Sequence, residues 1–286
     1  IDHRKNNPNL FPNIEYQTEK LLEIQSGLKT GLITQEDILL GEKHLLIKLK
    51  ALIASGTKII CFDALTRQEL NKIYATTKNY FPKGLLVGSA GLAKSILTSV
   101  KPTSYKPRSF NITQKSFALI SLSFHPITKM HFIKLSTPDE ILHISIDTDV
   151  LLYKKSFAKE YGRISNIIDY AISTKQNIAI NQSTQSAIAN PNVARISKHL
   201  HIFLSKISAK LISSEFYKTL ILIGGDTAHT VLQTACIKEI DVVKEILPGT
   251  AISFPGVEYR KKFRIITKSG GFGDENHISN LLSKLQ

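Results

Sequence analysis

Leu220-Ile221-Leu222-Ile223-Gly224-Gly225-Asp226-Thr227-Ala228 is the stretch on which the fold turns. Four consecutive branched aliphatic residues predict a strand buried on both faces, and a helix is expected beyond it through Leu232. Between the two, Gly224 and Gly225 let the backbone turn with positive φ and approach a ligand closely. The free N–H groups at the start of the next helix favour an anion, so the loop reads as a phosphate cradle.

Working outward, the same alternation recurs. Phe263–Thr267 predicts a strand running into Lys268-Ser269-Gly270-Gly271-Phe272-Gly273, and Phe117–Ser121, Leu142–Ile146 and Asn177–Asn181 predict three more, with Pro126 opening a helix after the first. From Pro191 to Ser213 the apolar residues Val193, Ile196, Leu200, Phe203, Leu204, Ile207, Leu211 and Ile212 form a helical stripe suited to packing on a sheet. Nearer the N-terminus, Thr34–Ser55 predicts a single amphipathic helix stopped by Gly56. A short strand at Lys58–Phe62 follows, and Thr66-Arg67-Gln68-Glu69 has the form of a capping box. Gly84–Val87 then reads as a buried strand, Gly88-Ser89-Ala90-Gly91 as a turn, and Leu92 onwards as a helix.

This pattern predicts an α/β protein with mostly parallel sheets flanked by helices. Residues 101–116 (KPTSYKPRSFNITQKS) hold two prolines and four basic residues with no acidic one, and read as a linker. Two α/β domains are therefore expected, 1–100 and 117–286.

Composition limits the function classes. The chain has 286 residues, 42% hydrophobic and 21% charged, as in a globular protein, and carries a formal charge of +14. Its lysines are dispersed and its aromatics lie inside apolar runs, so no nucleic-acid platform is expected and the charge suits anionic small molecules. No apolar run is long enough to span a bilayer, and the opening residues lack the apolar core of a signal peptide, giving a cytoplasmic expectation. Cys61 and Cys236 are far apart and read as buried spacers. The nine histidines show no HExxH pattern, so no metal site built from them is expected. Gly directly precedes Ser89, which excludes the GxSxG order of a serine hydrolase.

In a parallel sheet, ligands bind beyond the carboxyl ends of the strands. Asp226 reads either as a carboxylate holding water-coordinated Mg²⁺ beside a phosphate or as a helix cap, and Thr227 carries the same two readings. Lys268 sets a point charge beside the amide-rich turn at Ser269-Gly270-Gly271, which suits a polyphosphate.

The segments CFDALTRQEL (61–70), LLVGSAGLAKSI (85–96), LILIGGDTAHTVL (220–232), EILPGTAISFPGV (245–257) and ITKSGGFGDENHI (266–278), in this order, resemble the four-carbon acid sugar kinases, also known as YgbK-type or DUF1537 proteins. The resemblance implies an N-terminal sugar-acid domain, a C-terminal nucleotide domain and phosphoryl transfer from ATP, with Mg²⁺, to threonate, erythronate or an oxo-tetronate. It implies that Gly224, Gly225, Asp226, Thr227, Gly270 and Gly271 contact the ATP phosphates, and Ser123 and Lys268 are expected to bind the nucleotide beside them.

The family's Gly-Ser-x-Ser-x-x-Thr loop corresponds to Leu122–Thr128. Ser123 and Thr128 are kept there, while Leu122 stands for a glycine and His125 for a small hydroxyl residue. The family's Asp-Asp-x-Thr-Gly-Ala turn does not occur, so the first domain is expected to be incomplete and no catalytic base is nominated. The partners this leaves open are a homo-oligomer or a separately encoded N-terminal fragment. The alternative function is a catalytically inactive remnant that serves as a binding or scaffold protein.

Overall fold

The computed structural model describes residues 17–100, 116–135, 141–183, 193–256 and 263–285. They fall in two compact units, Ile1–Tyr105 and Lys106–Gln286. Apart from Ser116, the expected linker at 101–116 lies outside the described residues.

The first unit runs α1 (Thr18–Ser26), β1 (Thr30–Ile33), α2 (Gln35–Leu39), α3 (Glu42–Ala54), β2 (Ile59–Phe62), α4 (Arg67–Tyr80) and α5 (Ala90–Leu97). Its two strands pair in parallel, Thr30 opposite Ile59 through Ile33 opposite Phe62. Ile33, Ile38, Leu45, Leu49 and Ile73 form its buried core. Two capping boxes start its helices. Thr34 accepts from the Asp37 N–H ahead of α2, and Thr66 accepts from the Glu69 N–H ahead of α4, as its sequence predicts.

Two expectations for this unit fail. The single helix at Thr34–Ser55 is two helices, because Gly41, at φ 101°, leaves the helical region and caps α3. Ile38 and Leu45 are seven residues apart and share a face with or without the break, so periodicity could not reveal it. Gly84–Val87 is not a strand, and Leu85 and Val87 are 89% and 85% exposed. A strand needs a neighbour to take its backbone N–H and C=O groups, and no strand among the described residues pairs with this run.

The second unit continues with β3 (Phe117–Ser121), α6 (Pro126–Lys134), β4 (Ile141–Ile146), α7 (Lys154–Ser173), β5 (Asn177–Gln182), α8 (Val193–Ser213), β6 (Thr219–Ile223), α9 (Gly225–Thr234), β7 (Ile240–Leu247), β8 (Thr250–Pro255), β9 (Arg264–Lys268) and α10 (His277–Ser283). Seven strands form one sheet in the order β4-β5-β3-β6-β9-β8-β7. Pairing is parallel from β4 to β9, and β7 and β8 add an antiparallel ribbon that the sequence reading did not assign to strands. This is the expected α/β class.

Side chains alternate between two apolar layers, as a sheet covered on both faces requires. Ala118, Ile120, Leu220, Leu222 and Ile265 join residues of α7, α8 and α9 in one layer. Leu119, Ile221, Ile223 and Ile266 join Phe132 of α6 and Ile278 and Leu281 of α10 in the other. The stripe on α8 packs as expected, with Leu200, Phe203, Leu204, Ile207 and Leu211 in the first layer.

Candidate functional site at the carboxyl ends of β3, β6 and β9

After β3 the chain passes to α6 on one face of the sheet, and after the adjacent β6 it passes to α9 on the opposite face. Loops that leave neighbouring strands toward opposite faces open a crevice at the carboxyl edge, the place where α/β sheets bind ligands. Three loops meet there, 122–125 after β3, Gly224 after β6, and 269–274 after β9.

Hydrogen bonds tie them together. The Leu122 N–H donates to Thr227 Oγ1 at 2.9 Å, and the Gly224 N–H donates to the Lys268 carbonyl at 2.8 Å. Thr128 Oγ1 donates to the Gly270 carbonyl at 2.8 Å. Packing is equally close. A Cβ added to Gly270 would lie 2.6 Å from Ser123 Oγ, and one on Gly271 would lie 3.0 Å from His125 Nε2. Only glycine lets the third loop approach the first this closely. Ser123, Gly224, Gly270 and Gly271 are thus brought to one place.

The remaining predicted residues separate by role. Gly224, at φ 99°, is the N-cap of α9 and offers no side chain, so the first N–H groups of the helix face the crevice without a protein cap. Gly225 has no atom within 4 Å of a built Cβ, which leaves open space at that amide. Asp226 lies inside the first turn with an exposed carboxylate and does not cap the helix, which removes one of its two readings. Thr227 is 1% exposed and its hydroxyl serves Leu122, so it pins two loops from within.

Lys268 ends β9 at 3% exposure. Its ammonium donates to the Ser269 carbonyl at 2.8 Å, and burial pushes its pKa down to about 8. Among the described residues this buried cation has no carboxylate partner, which suits an incoming anion. The open amides of α9, the glycine cradle and this lysine together fit a phosphate chain.

The sequence reading missed the second tier of the site. His125, expected only as a substitution for a small hydroxyl residue, caps α6 by accepting from the Ile127 N–H through Nδ1 at 3.2 Å. His131 on α6 meets the Asp274 carbonyl at 2.6 Å through Nε2. His277 on α10 meets Thr250 Oγ1 at 2.7 Å. The last two contacts join residues 143 and 27 positions apart, so no local spacing announces them. Among the described residues no three His, Cys, Asp or Glu side chains gather as a metal site. Cys236 is exposed at φ 55° just past α9, and Cys61 is half-buried, so neither is the buried spacer expected.

Comparison with known proteins agrees with this geometry. A family model described as a nucleotide-binding C-terminal domain matches residues 120–278, more than half of the chain, and one described as a sugar-binding N-terminal domain matches 5–96. The chain belongs to the four-carbon acid sugar kinase family. It is 21% identical to a 3-oxo-tetronate kinase of Haemophilus influenzae over 95% of its own length, and 23% identical to a D-threonate kinase of Cupriavidus necator over 87%. It spans only 64% and 59% of those two proteins.

Among solved structures, a Salmonella typhimurium LT2 protein provisionally named a tRNA synthase superposes with a TM-score of 0.69 at 19% identity, covering 94% of this chain and 63% of that one. A Haemophilus influenzae DUF1537 protein superposes with a TM-score of 0.59 at 19% identity, covering 96% and 65%. Both share the fold of this family member. Among the described residues no helix is long and apolar enough to cross a membrane.

Proposed function

We propose that this chain carries the nucleotide site of an ATP-dependent sugar-acid kinase, which transfers the γ-phosphate to a hydroxyl of a four-carbon acid of the threonate, erythronate or oxo-tetronate type. The observation that supports this most is the convergence of Ser123, Gly224 and Gly270, held by the Thr227 and Thr128 hydrogen bonds, at the carboxyl edge of a parallel sheet. In that reading the amides of Gly225 and Asp226 and the turn at Gly270-Gly271 receive the phosphates. The Lys268 ammonium offsets their charge, and the exposed Asp226 carboxylate meets Mg²⁺ through water. When bound, Mg-ATP supplies the phosphoryl group, and the protein's share is positioning and charge stabilisation.

Isothermal titration with Mg-ATP tests the site. Heat at millimolar nucleotide or below, weakened by about tenfold in Asp226→Ala, is expected. The absence of both heat and thermal stabilisation at millimolar Mg-ATP would overturn the proposal.

A second reading, binding without turnover, is favoured by the first unit, where Leu85 and Val87 stand exposed and Gly84–Val87 is unpaired with any described strand. An assay of ADP release with threonate, erythronate and 3-oxo-tetronate separates the two. Nucleotide binding without acid-dependent ADP release supports the second.

A further inference from the structure

Thr128 and His131 lie one turn apart on α6, so they share a face of the helix. Both reach the loop after β9. Thr128 holds the carbonyl of Gly270 and His131 that of Asp274, which fastens the glycine turn at its two ends.

A carbonyl oxygen only accepts, so the hydrogen on His131 sits at Nε2 and its Nδ1 presents a lone pair. That Nδ1 is buried with no hydrogen-bond partner among the described residues, in a residue only 1% exposed. Such a group costs free energy to keep, and an apolar side chain of similar size would avoid the cost. Retaining it makes sense where the other ring nitrogen is needed.

The groups facing His131 oppose its protonation on balance. Burial acts first and the charge of Lys268 on β9 adds to it. The ring of His277 on α10, 6.3 Å away between centroids, lowers the pKa further. The Asp274 carbonyl and carboxylate act the other way but do not prevail. A neutral His131 leaves the positive charge of this corner on Lys268.

We propose that His131 is a positioning residue of the phosphate cradle: its Nε2–H, donated to Asp274, holds the 270–274 turn against Ser123 so that Gly270 and Gly271 present their amides. The proposal rests on the phosphate reading of the site for its purpose, but its geometry can be tested without nucleotide.

Two variants test it, His131→Gln, whose terminal amide can reach the same carbonyl, and His131→Leu, which cannot. Hydrogen exchange of residues 270–274 and titration with Mg-ATP are the two readouts. His131→Leu is expected to speed exchange in that turn about tenfold and weaken Mg-ATP about tenfold, the scale of one buried hydrogen bond. His131→Gln should stay within about threefold of the parent in both. Parent-like exchange in His131→Leu, or equal damage in the two variants, overturns the proposal.

If the parent protein does not bind Mg-ATP, the phosphate reading fails while the exchange result still decides the role of His131. Should His131→Leu not fold, the nitrogen chemical shifts of His131 in the parent decide instead. The Nε2–H tautomer, persisting below the ordinary histidine pKa of 6.5, is expected. An Nδ1–H tautomer overturns the proposal.

Discussion

Two stretches of this chain share one pattern, an apolar run, a small-residue turn and a helix, and they fold differently. In the second unit Leu220–Ile223 is a fully buried strand between β3 and β9. In the first, Gly84–Val87 remains outside any strand, with Leu85 and Val87 almost wholly exposed. Local composition is not the cause, since both runs are aliphatic and both are followed by a helix. What differs is the company. β6 has a hydrogen-bonding neighbour on each side and a helical layer on each face, whereas the sheet of the first unit has two strands among the described residues. Two strands alone are marginal in water, because neither edge nor face is fully covered. A strand is therefore a property of its neighbours as much as of its sequence.

The largest test of this contrast is in the core of the second unit. Ile221 is fully buried in the layer under α6 and α10. Ile221→Ala should destabilise the protein by about 2–5 kcal/mol, combining lost transfer energy with the cavity left behind. Equilibrium denaturation measures it. A loss below about 1 kcal/mol would mean that the sheet relaxes around the gap and is not the rigid platform the cradle needs.

The same contrast explains what was legible in the sequence. Strands β3 and β6 could be read because each is a run buried on both faces, and each finds its partners within the unit. Gly224 could be read because its φ of 99° at the head of α9 demands glycine, whereas Gly225 lies inside α9 without the positive φ expected of it. By contrast, the split at Gly41 was hidden by its harmony with the helical period, and the ribbon of β7 and β8 lacks an apolar run. The fastening of the cradle by Thr128 and His131 joins residues more than 140 positions apart, and a one-dimensional pattern carries no trace of such pairs. In the sequence, Asp226 and Thr227 each admit two readings. Structure separated them by exposure, one carboxylate in water and one hydroxyl sealed inside.

An intermediate effect is expected at Lys268, where stability and binding should respond to pH in opposite directions. Burial holds its folded value near 8, below the ordinary 10.5, so the folded protein releases this proton before the unfolded chain does. The group's contribution to stability therefore rises as pH increases from about 8 toward 10.5, because the cost of a buried ammonium is relieved. Affinity for Mg-ATP should fall over the start of that window as the cation is lost. Titration between pH 7 and 9 checks this, and Lys268→Met should flatten the pH dependence while weakening binding without loss of thermal stability. A pH dependence unchanged in Lys268→Met would place the responsible cation elsewhere.

The smallest expected effect sharpens the comparison most. Leu85 is 89% exposed, beside an apolar cleft of the first unit lined by Leu49, Ile60, Phe62, Phe81 and Leu86. A side chain already in water has no burial to lose, so Leu85→Gln should change stability by no more than about 0.5 kcal/mol. The Ile221 substitution in the matching pattern of the second unit should cost several times that amount. If Leu85→Gln instead destabilises by more than about 1 kcal/mol, the residue is covered in solution and the run has neighbours there. The difference between the two units would then be one of available partners, and supplying them would turn Gly84–Val87 into the strand its sequence describes.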